Sequence, residues 1–233
     1  MNAIITGASR GIGKAIAFKF AAEGFNLALC SRTQSHLDEL AKELMALYPG
    51  IEVICKATDV SKKEEVQAFA ALIQSKWSVV DVLVNNAGIF IPGEIHTEAE
   101  GALEQAMATN LYSAYYLTRA VLPQLFSSQK PHVFNMCSVA SLFAYPNGGS
   151  YSISKFAMLG FSKVLREELK QKRVRVTSII PGATWTDSWA GSGLSPERMM
   201  KAEDIAMAVW NAFQMSDQTV VEEILLRPQL GDI

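Results

Sequence analysis

The sequence is poor in the residues that build disulfide frameworks and metal sites. It contains three cysteines and three histidines among 233 residues, and neither type recurs at a metal-ligand spacing. Cys30, Cys55 and Cys137 fall in or beside apolar segments that read as strands. We therefore expect buried free thiols in a reducing cytosol, and no metal site.

Long hydrophobic runs and an excess of one charge are also missing. No apolar stretch approaches the roughly eighteen residues that a bilayer span needs, and the N-terminus lacks the basic, apolar and cleavage regions of a secretory signal. The formal net charge is -2 at pH 7, which provides no basic surface for nucleic acid or an anionic membrane. We expect a cytoplasmic protein with neither kind of partner.

What the chain does contain is a regular alternation of short apolar runs and helical patterns. Strands are predicted at 3–6, 26–31, 52–56, 81–85, 133–137, 175–180 and 223–227, and helices at 11–23, 34–47, 62–76, 97–127, 150–171 and 202–214. This order is typical of an α/β protein. It predicts a Rossmann-type, doubly wound sheet of about seven mostly parallel strands with helices on both faces, in a single domain over 1–233.

A glycine-rich turn joins the first predicted strand to the first helix. Gly7, Gly11 and Gly13 follow the spacing G-x-x-x-G-x-G, which differs from the common G-x-G-x-x-G dinucleotide motif. Glycines let the backbone turn sharply and approach a ligand closely, and the following helix N-terminus presents free amides to a pyrophosphate. The turn therefore predicts a dinucleotide site.

The end of the second strand indicates which dinucleotide is bound. An NAD-specific fold usually carries an acidic residue there for the ribose 2′-hydroxyl, whereas this chain has Ser31 and Arg32. A guanidinium suits a 2′-phosphate, and Arg10 in the glycine-rich turn is a second candidate cation. NADP(H) is thus favoured over NAD(H); the alternative is that Arg32 is simply solvated.

Tyr151 and Lys155 lie four residues apart in a predicted helix, so they share one helix face. A cation beside a phenol stabilises the phenolate and moves its pKa from ~10 toward neutrality. The pair therefore predicts a proton donor and acceptor for a substrate oxygen. By itself the spacing is also compatible with a half-exposed helix face.

Four motifs in order resemble those of the short-chain dehydrogenase/reductase family. They are Thr6 to Gly13, Asn85-Asn86-Ala87-Gly88 after the fourth strand, Tyr151 to Lys155, and Pro181-Gly182 after the sixth strand. The resemblance covers nearly the whole chain. It implies NADP(H)-dependent, reversible reduction of a ketone or aldehyde to an alcohol.

The resemblance also implies a catalytic set. Ser138, with Ser141 as a weaker candidate, would bind the substrate carbonyl, and Tyr151 would deliver the proton. Lys155 would lower the tyrosine pKa and bind the nicotinamide ribose, while Asn110 would hold a water that joins Lys155 to solvent.

Further cofactor contacts follow from the same resemblance. They comprise Gly7, Ser9, Arg10, Gly11, Ile12, Gly13, Ser31, Arg32, Asp59, Val60, Asn86, Ala87, Gly88, Tyr151, Lys155, Pro181, Gly182, Thr184 and Thr186. Asp59 and Val60 would flank the adenine, although Asp59 is equally suited to a local turn cap.

The stretch around 183–200 would form a mobile lid over the substrate. Ser138, Tyr145, Trp185 and Trp189 are the substrate-contact candidates, and the two tryptophans would offer an aromatic wall or pack on the protein body. The resemblance further implies a homodimer or homotetramer paired through the long fourth and fifth helices.

The substrate remains open between two enzyme classes. The C-terminal tail departs from the glycine-rich ending of 3-oxoacyl-thioester reductases and is somewhat similar to that of sepiapterin-type bacterial reductases. An alternative of a different kind is a non-catalytic NADP(H)-binding sensor or scaffold. The complete set of four catalytic candidates argues against that alternative.

Overall fold

The computed structural model describes residues 1–186, 189, 193 and 195–232. Its strands are β1 (Asn2–Thr6), β2 (Asn26–Ser31), β3 (Val53–Ala57), β4 (Val82–Asn85), β5 (His132–Met136), β6 (Arg175–Pro181) and β7 (Glu223–Leu226). They form one seven-stranded sheet in the order β3-β2-β1-β4-β5-β6-β7, and every neighbouring pair is parallel. The predicted Rossmann-type α/β fold is confirmed.

Helices cross between the strands. They are α1 (Gly11–Ala22), α2 (Gln34–Leu47), α3 (Lys63–Lys76), α4 (Ala102–Met107), α5 (Ser113–Phe126), α6 (Gly149–Leu169) and α7 (Ala202–Gln214). The helix predicted over 97–127 starts later than expected, at Ala102, and runs to Phe126 through a π-helical segment. Gly101 adopts φ 85° before α4 begins, and a π-helical segment, Ala108–Tyr112, separates α4 from α5.

The two faces of the sheet bury separate cores. Side chains alternate along a strand, so Ala3 and Ile5 of β1 face α1, α2 and α7, whereas Ile4 faces α3, α5 and α6. The first core includes a cluster of aromatic rings in which Phe20 and Phe25 pack edge to face with centroids 5.0 Å apart. Each helix layer therefore has its own apolar contact with the sheet.

A buried polar chain connects the ends of β4 and β5 to α5 and α6. The Asn85 side-chain amide donates to the Thr118 hydroxyl at 3.0 Å and to Asn135 Oδ1 at 2.8 Å, and Asn135 donates to the Ser162 hydroxyl at 2.8 Å. Buried polar groups need such partners. The chain therefore fixes α6 relative to the strand ends that border the site.

The strand order reverses at β1, which has β2 on one side and β4 on the other. In open parallel sheets such a switch point leaves a crevice at the carboxyl ends of the strands. The glycine-rich turn follows β1 directly, so it lies at this crevice. Within the described part of the chain, no helix has the length and apolarity needed to cross a bilayer.

Candidate functional site

A cleft of about 1540 Å³ lies at the carboxyl ends of the strands. This exceeds the roughly 300–1,000 Å³ of a site for one drug-sized ligand, which leaves space for a dinucleotide beside a substrate. The predicted cofactor residues that line it are Gly7, Ser9, Arg10, Gly11, Ile12, Ser31, Arg32, Asp59, Val60, Asn86, Ala87, Gly88, Tyr151, Lys155, Pro181, Gly182, Thr184 and Thr186. The structure thus brings these predicted residues together around one cleft.

Gly13 does not line the cleft, but it packs against the carbonyl of Gly7 in the glycine-rich turn. A Cβ on Gly13 would lie 2.3 Å from the carbonyl oxygen of Gly7, so no side chain fits there. Gly7 and Gly11 adopt φ values of 64° and 54°, in the left-handed region that favours glycine. A Cβ on Gly7 would also lie 2.9 Å from Ala87 Cα, so the turn packs directly against the loop after β4.

Thr6 and Asn86 join that turn to that loop. The Thr6 hydroxyl oxygen accepts hydrogen bonds from the amides of Asn86 and Ala87 at 3.0 and 2.9 Å. In return, the Asn86 side-chain amide donates to the carbonyl oxygens of Thr6 and Gly7 at 2.8 and 3.1 Å. Asn86 therefore holds the backbone of the glycine-rich turn in place at this end of the cleft.

Arg32 and Asp59 lie at the far end of the cleft, after β2 and β3. Asp59 Oδ1 accepts from the Ser61 amide and hydroxyl at 3.1 and 2.7 Å, so the expected local cap does form. The Ser61 hydroxyl bond is the main cause that lowers the pKa of Asp59, and the nearby charges of Lys62 and Arg32 act in the same direction. Arg32 is exposed and lines the cleft.

Lys155 is buried at the centre of the site. Its ammonium donates to the carbonyl oxygen of Met136 at 2.8 Å, which attaches α6 to the end of β5. Burial lowers the pKa of Lys155 from 10.5 to about 8, and the neighbouring Cys137 partly opposes this. The ammonium lies 5.8 Å from the centroid of the Tyr151 ring.

Tyr151 is half-buried and lines the cleft next to Ser138. Burial raises the pKa of Tyr151, and the Ser138 hydrogen bond only partly opposes that rise. Burial is therefore the dominant influence on the pKa of Tyr151 in this structure. The Lys155 ammonium, which the sequence predicts to lower this pKa, is bonded to the Met136 carbonyl.

Ser138 and Ser141 have different roles in the structure. Ser138 lines the cleft, and its hydroxyl accepts from the Ala140 amide at 3.1 Å, which caps a short 3₁₀ turn. Ser141 is fully buried, and its hydroxyl accepts from the Ser138 amide at 3.1 Å. Ser138 is therefore the residue that faces the cleft, and Ser141 supports it.

Asn110 is buried in the π-helical segment behind the cleft rather than in its lining. Its Oδ1 accepts from the Ile89 amide at 2.7 Å, and its Nδ2 donates to the Ile89 carbonyl at 3.0 Å and the Ser154 hydroxyl at 2.8 Å. A Cβ on Gly88 would lie 3.2 Å from Asn110 Oδ1 and 3.6 Å from Lys155 Nζ. Asn110 is thus near Lys155, with its side chain engaged by protein groups.

Of the predicted substrate contacts on this side of the cleft, Tyr145 and Trp189 line it and Trp185 does not. Trp185 donates its backbone amide to the Met200 carbonyl at 2.8 Å and so anchors the start of the predicted lid. Partial burial raises the pKa of Tyr145 to about 12. The predicted lid around 183–200 lies partly outside the described residues, at 187, 188, 190–192 and 194.

Sequence reasoning missed a wall formed by Phe90, Phe143 and the C-terminal tail. Phe90 packs edge to face on Tyr151 with centroids 4.9 Å apart. Arg227 lies 5.3 Å over the Phe143 ring and pairs with Asp232 at 3.1 Å, and all three line the cleft. No local signal marks these residues, because only the fold brings the tail back to β6.

Arg198 holds this tail in place. Its guanidinium donates to the main-chain carbonyls of Leu230, Gly231 and Asp232 at 3.2, 2.9 and 3.1 Å. Three carbonyls on one planar donor group define the path of the tail closely. The end of the predicted lid is therefore linked to the tail.

The three cysteines are free thiols, with Cys30 and Cys137 buried. Burial raises the pKa of Cys30 to about 12 and that of Cys55 to about 11, so these thiols remain protonated at neutral pH. Among the described residues, no group of three or more His, Cys, Asp or Glu side chains is placed to hold a metal ion.

Comparison with known proteins places this architecture among the oxidoreductases. The family model for short chain dehydrogenase matches residues 1–195. A sepiapterin reductase of Chlorobaculum tepidum is 34% identical over 99% of this chain and 97% of its own length.

Solved structures are similar over nearly the whole chain. An alcohol dehydrogenase from the archaeon Thermococcus sibiricus, complexed with 5-hydroxy-NADP, has a TM-score of 0.90 and 33% identity, over 98% of this chain and 96% of its own. L-sorbose reductase from Gluconobacter frateurii, complexed with NADPH and L-sorbose, has a TM-score of 0.87 and 26% identity, over 97% and 94%. The chain therefore belongs to the short chain dehydrogenase family of oxidoreductases.

Proposed function

We propose that this protein is an NADP(H)-dependent oxidoreductase that reversibly reduces a ketone or aldehyde to an alcohol, with Tyr151 as general acid and base. The observation that carries the proposal is that Ser138 and Tyr151 are neighbours in the lining of the cleft, which buried Lys155 also reaches. Two hydroxyl donors at one point suit an oxygen that gains negative charge.

The cleft suits NADP(H) at both of its ends. The glycine-rich turn leaves no space for side chains at Gly7 and Gly13, so its backbone amides are accessible to a pyrophosphate at the start of α1. At the adenosine end, Arg32 offers a guanidinium where an NAD-specific site has a carboxylate. Solved relatives were crystallised with NADP or NADPH, which supports the same cofactor here.

The bound cofactor would supply the hydride. On the protein side, the Ser138 hydroxyl would donate a hydrogen bond to the substrate oxygen, and Tyr151 would transfer its proton to it. A raised tyrosine pKa keeps the phenol protonated at neutral pH, as a proton donor for reduction requires. Lys155 would compensate the charge that remains on Tyr151 after transfer.

The substrate end favours a flat or aromatic carbonyl compound. Phe90, Phe143, Tyr145 and Trp189 line it, and aromatic rings bind planar ligands through stacked or edge-to-face contacts. Similarity to a sepiapterin reductase makes a pterin the first compound to test, ahead of 3-oxoacyl thioesters. The catalytic residues themselves do not distinguish between these two substrate classes, because both present a carbonyl oxygen.

Replacing Tyr151 with phenylalanine should lower kcat by about 10²- to 10⁴-fold, because it removes the proton donor. The substitution keeps the ring that packs on Phe90, so NADPH affinity should change by less than about threefold. Turnover is followed as NADPH oxidation with the best compound in a panel of pterins, quinones, ketones, steroids and acyl thioesters. Affinity is measured by cofactor fluorescence titration.

Substantial retained activity in this variant would remove Tyr151 as the acid. If the unaltered protein binds NADPH tightly yet reduces nothing in the panel, the non-catalytic sensor or scaffold replaces the enzyme.

Replacing Arg32 with aspartate should reverse the cofactor preference. Loss of a charge-assisted contact to a 2′-phosphate should reduce kcat/KM for NADPH by roughly 10- to 100-fold, while the new carboxylate favours the NADH ribose. The ratio of kcat/KM for the two cofactors is measured in both proteins. Arg32→Ala is the control, and it should lower kcat/KM for NADPH without raising kcat/KM for NADH. An unchanged ratio of the two values in Arg32→Asp contradicts the assignment of Arg32 to the 2′-phosphate.

Replacing Lys155 with methionine should change how stability depends on pH. The folded pKa is about 8 and the ordinary value is 10.5, so between these pH values the unfolded chain binds more protons. The free energy of unfolding of the natural protein should therefore rise with pH across that window, by about 3 kcal/mol relative to the variant. Denaturant unfolding of both proteins at pH 8 and 10.5 measures the difference.

Lys163→Met is the matched control, because Lys163 is exposed on the same helix. It should show no comparable change between pH 8 and 10.5. Parallel pH profiles for the natural protein and Lys155→Met would show that the ammonium is not desolvated as described.

We also propose that the protein self-associates through α5 and α6. Tyr112, at the end of the π-helical segment, and Tyr115 of α5 are exposed, and Ile153, Phe156 and Val164 are exposed along α6. Tyr115 packs on Phe161 of α6 at 6.0 Å, so the two helices present these side chains as neighbours. An apolar face of this kind suits a second copy related by a two-fold axis.

Replacing Phe156 with aspartate should shift the protein toward monomer, because a charge is costly to bury in an apolar interface. Light scattering coupled to gel filtration measures the mass. Met207→Asp is the control, because Met207 is exposed on α7, away from α5 and α6. This variant should keep the mass of the natural protein. A natural protein that is already monomeric at micromolar concentration contradicts the proposal.

A further inference from the structure

The helix that carries Tyr151 and Lys155 begins without a cap of its own. The residue at its N-cap position is Gly148, which has no side chain to accept a hydrogen bond, and the helix starts at Gly149. The first amides of a helix have no partner within the helix and need an acceptor from elsewhere. The position of Tyr151 in the first turn makes this end of α6 important.

Glu98 supplies that acceptor from 52 residues away in the sequence. One carboxylate oxygen accepts from the Ser150 amide at 3.2 Å, and the other accepts from the Ser150 hydroxyl. A carboxylate at a helix N-terminus is also favoured by the helix dipole. Glu98 therefore acts as a cap at the residue that directly precedes Tyr151.

A Cβ at the N-cap position, on Gly148, would lie 2.4 Å from the Ser152 hydroxyl oxygen and 2.8 Å from the Tyr145 carbonyl oxygen, so a capping side chain has no space there. Gly93 pairs with Gly148 in an isolated β-bridge, and the Gly93 amide donates to the Asn147 carbonyl at 3.1 Å. A Cβ on Gly149 would lie 2.5 Å from the Gly93 carbonyl oxygen and 2.8 Å from a Glu98 carboxylate oxygen. The close backbone approach that requires glycine on α6 is the same one that brings Glu98 within reach.

The segment that carries Glu98 also touches Tyr151 directly. Phe90 packs edge to face on the Tyr151 ring with centroids 4.9 Å apart. The preceding residue, Ile89, is held by both polar side-chain atoms of Asn110, which also binds Ser154 of α6. Residues 89–98 are thus attached to α6 at both ends, with Tyr151 between the attachments.

We infer that Glu98 is a positioning residue, which holds the first turn of α6 so that the Tyr151 hydroxyl meets the substrate oxygen. The inference rests on the proposed function, in which Tyr151 is the proton donor. A phenol at the start of a frayed helix would sample orientations that do not transfer a proton, and small displacements of catalytic groups cost large factors in rate. Glu98 itself is not required to touch the substrate.

The test compares Glu98→Ala, Glu98→Gln and Glu100→Ala. Alanine removes both acceptors, while glutamine removes the charge and keeps one acceptor oxygen for the Ser150 amide or hydroxyl. Glu100 lies in the same segment and is exposed, so its substitution controls for loss of a negative charge there. Each protein is assayed for NADPH affinity, thermal midpoint, turnover and hydrogen exchange at the Ser150 amide by NMR.

For Glu98→Ala we expect kcat to fall about tenfold while KM and the Kd for NADPH stay within about twofold. The Ser150 amide should exchange at least about tenfold faster, because it has lost its acceptor. Glu98→Gln should recover most of kcat, and Glu100→Ala should match the natural protein. This pattern separates positioning from a loss of charge.

Three results would overturn the inference. They are an unchanged kcat and Ser150 exchange rate in Glu98→Ala, an equal loss of kcat in the glutamine variant, and a parallel loss of NADPH affinity that signals general unfolding.

Failure of the proposed function is distinguishable from failure of this inference. If the natural protein reduces no compound in the panel, the function fails, whereas Ser150 exchange still reports whether Glu98 holds α6. If turnover is present and the exchange rate of the Ser150 amide is the same with and without Glu98, the proposed function stands and the positioning role is excluded.

Discussion

The site depends above all on the hydrogen bond from the buried Lys155 ammonium to the carbonyl oxygen of Met136. A buried cation without an acceptor is strongly unfavourable, so this bond fixes the register between α6 and the end of β5. Tyr151 lies one turn earlier on α6, and Ser138 lies two residues beyond Met136. One interaction therefore determines that a phenol and a hydroxyl from distant parts of the chain face the same point.

Close backbone approach is the second constraint, and it accounts for particular glycines. Gly13 lies under the Gly7 carbonyl, and Gly149 lies against the Gly93 carbonyl, with no space for a Cβ at either position. In each case, a side chain distant in the sequence forms hydrogen bonds beside this close contact. Asn86 holds the carbonyls of the first turn, and Glu98 caps the helix that begins at the second. The glycine-rich turn and the start of α6 are therefore stabilised in the same way, by a close glycine contact and a distant polar side chain.

These two constraints explain which features the sequence predicts. Strand and helix alternate with distinct periodicities, so each of the seven predicted strands overlaps an observed one, and residues following the strands share one edge of the sheet. Local patterns do not reveal contacts that depend on tertiary approach. Examples are the π-helical segment around Asn110, the Glu98 cap and the return of the tail to β6. Spacing on a helix likewise does not specify where an ammonium points, so the bond from Lys155 to the Met136 carbonyl is not visible in the sequence.

The substrate end is built differently from the cofactor end. Its wall comes from loops and the tail, namely Phe90, Phe143, Trp189 and the half-exposed Arg227–Asp232 pair. Exposed ion pairs contribute only ~0–1 kcal/mol to stability, and exposed aromatic rings contribute little to the core. Arg198 nevertheless holds the tail with three hydrogen bonds. A wall that the fold does not need for stability is best explained by what it contacts, which supports the proposal that these loops select the substrate while the sheet edge and α6 carry the chemistry.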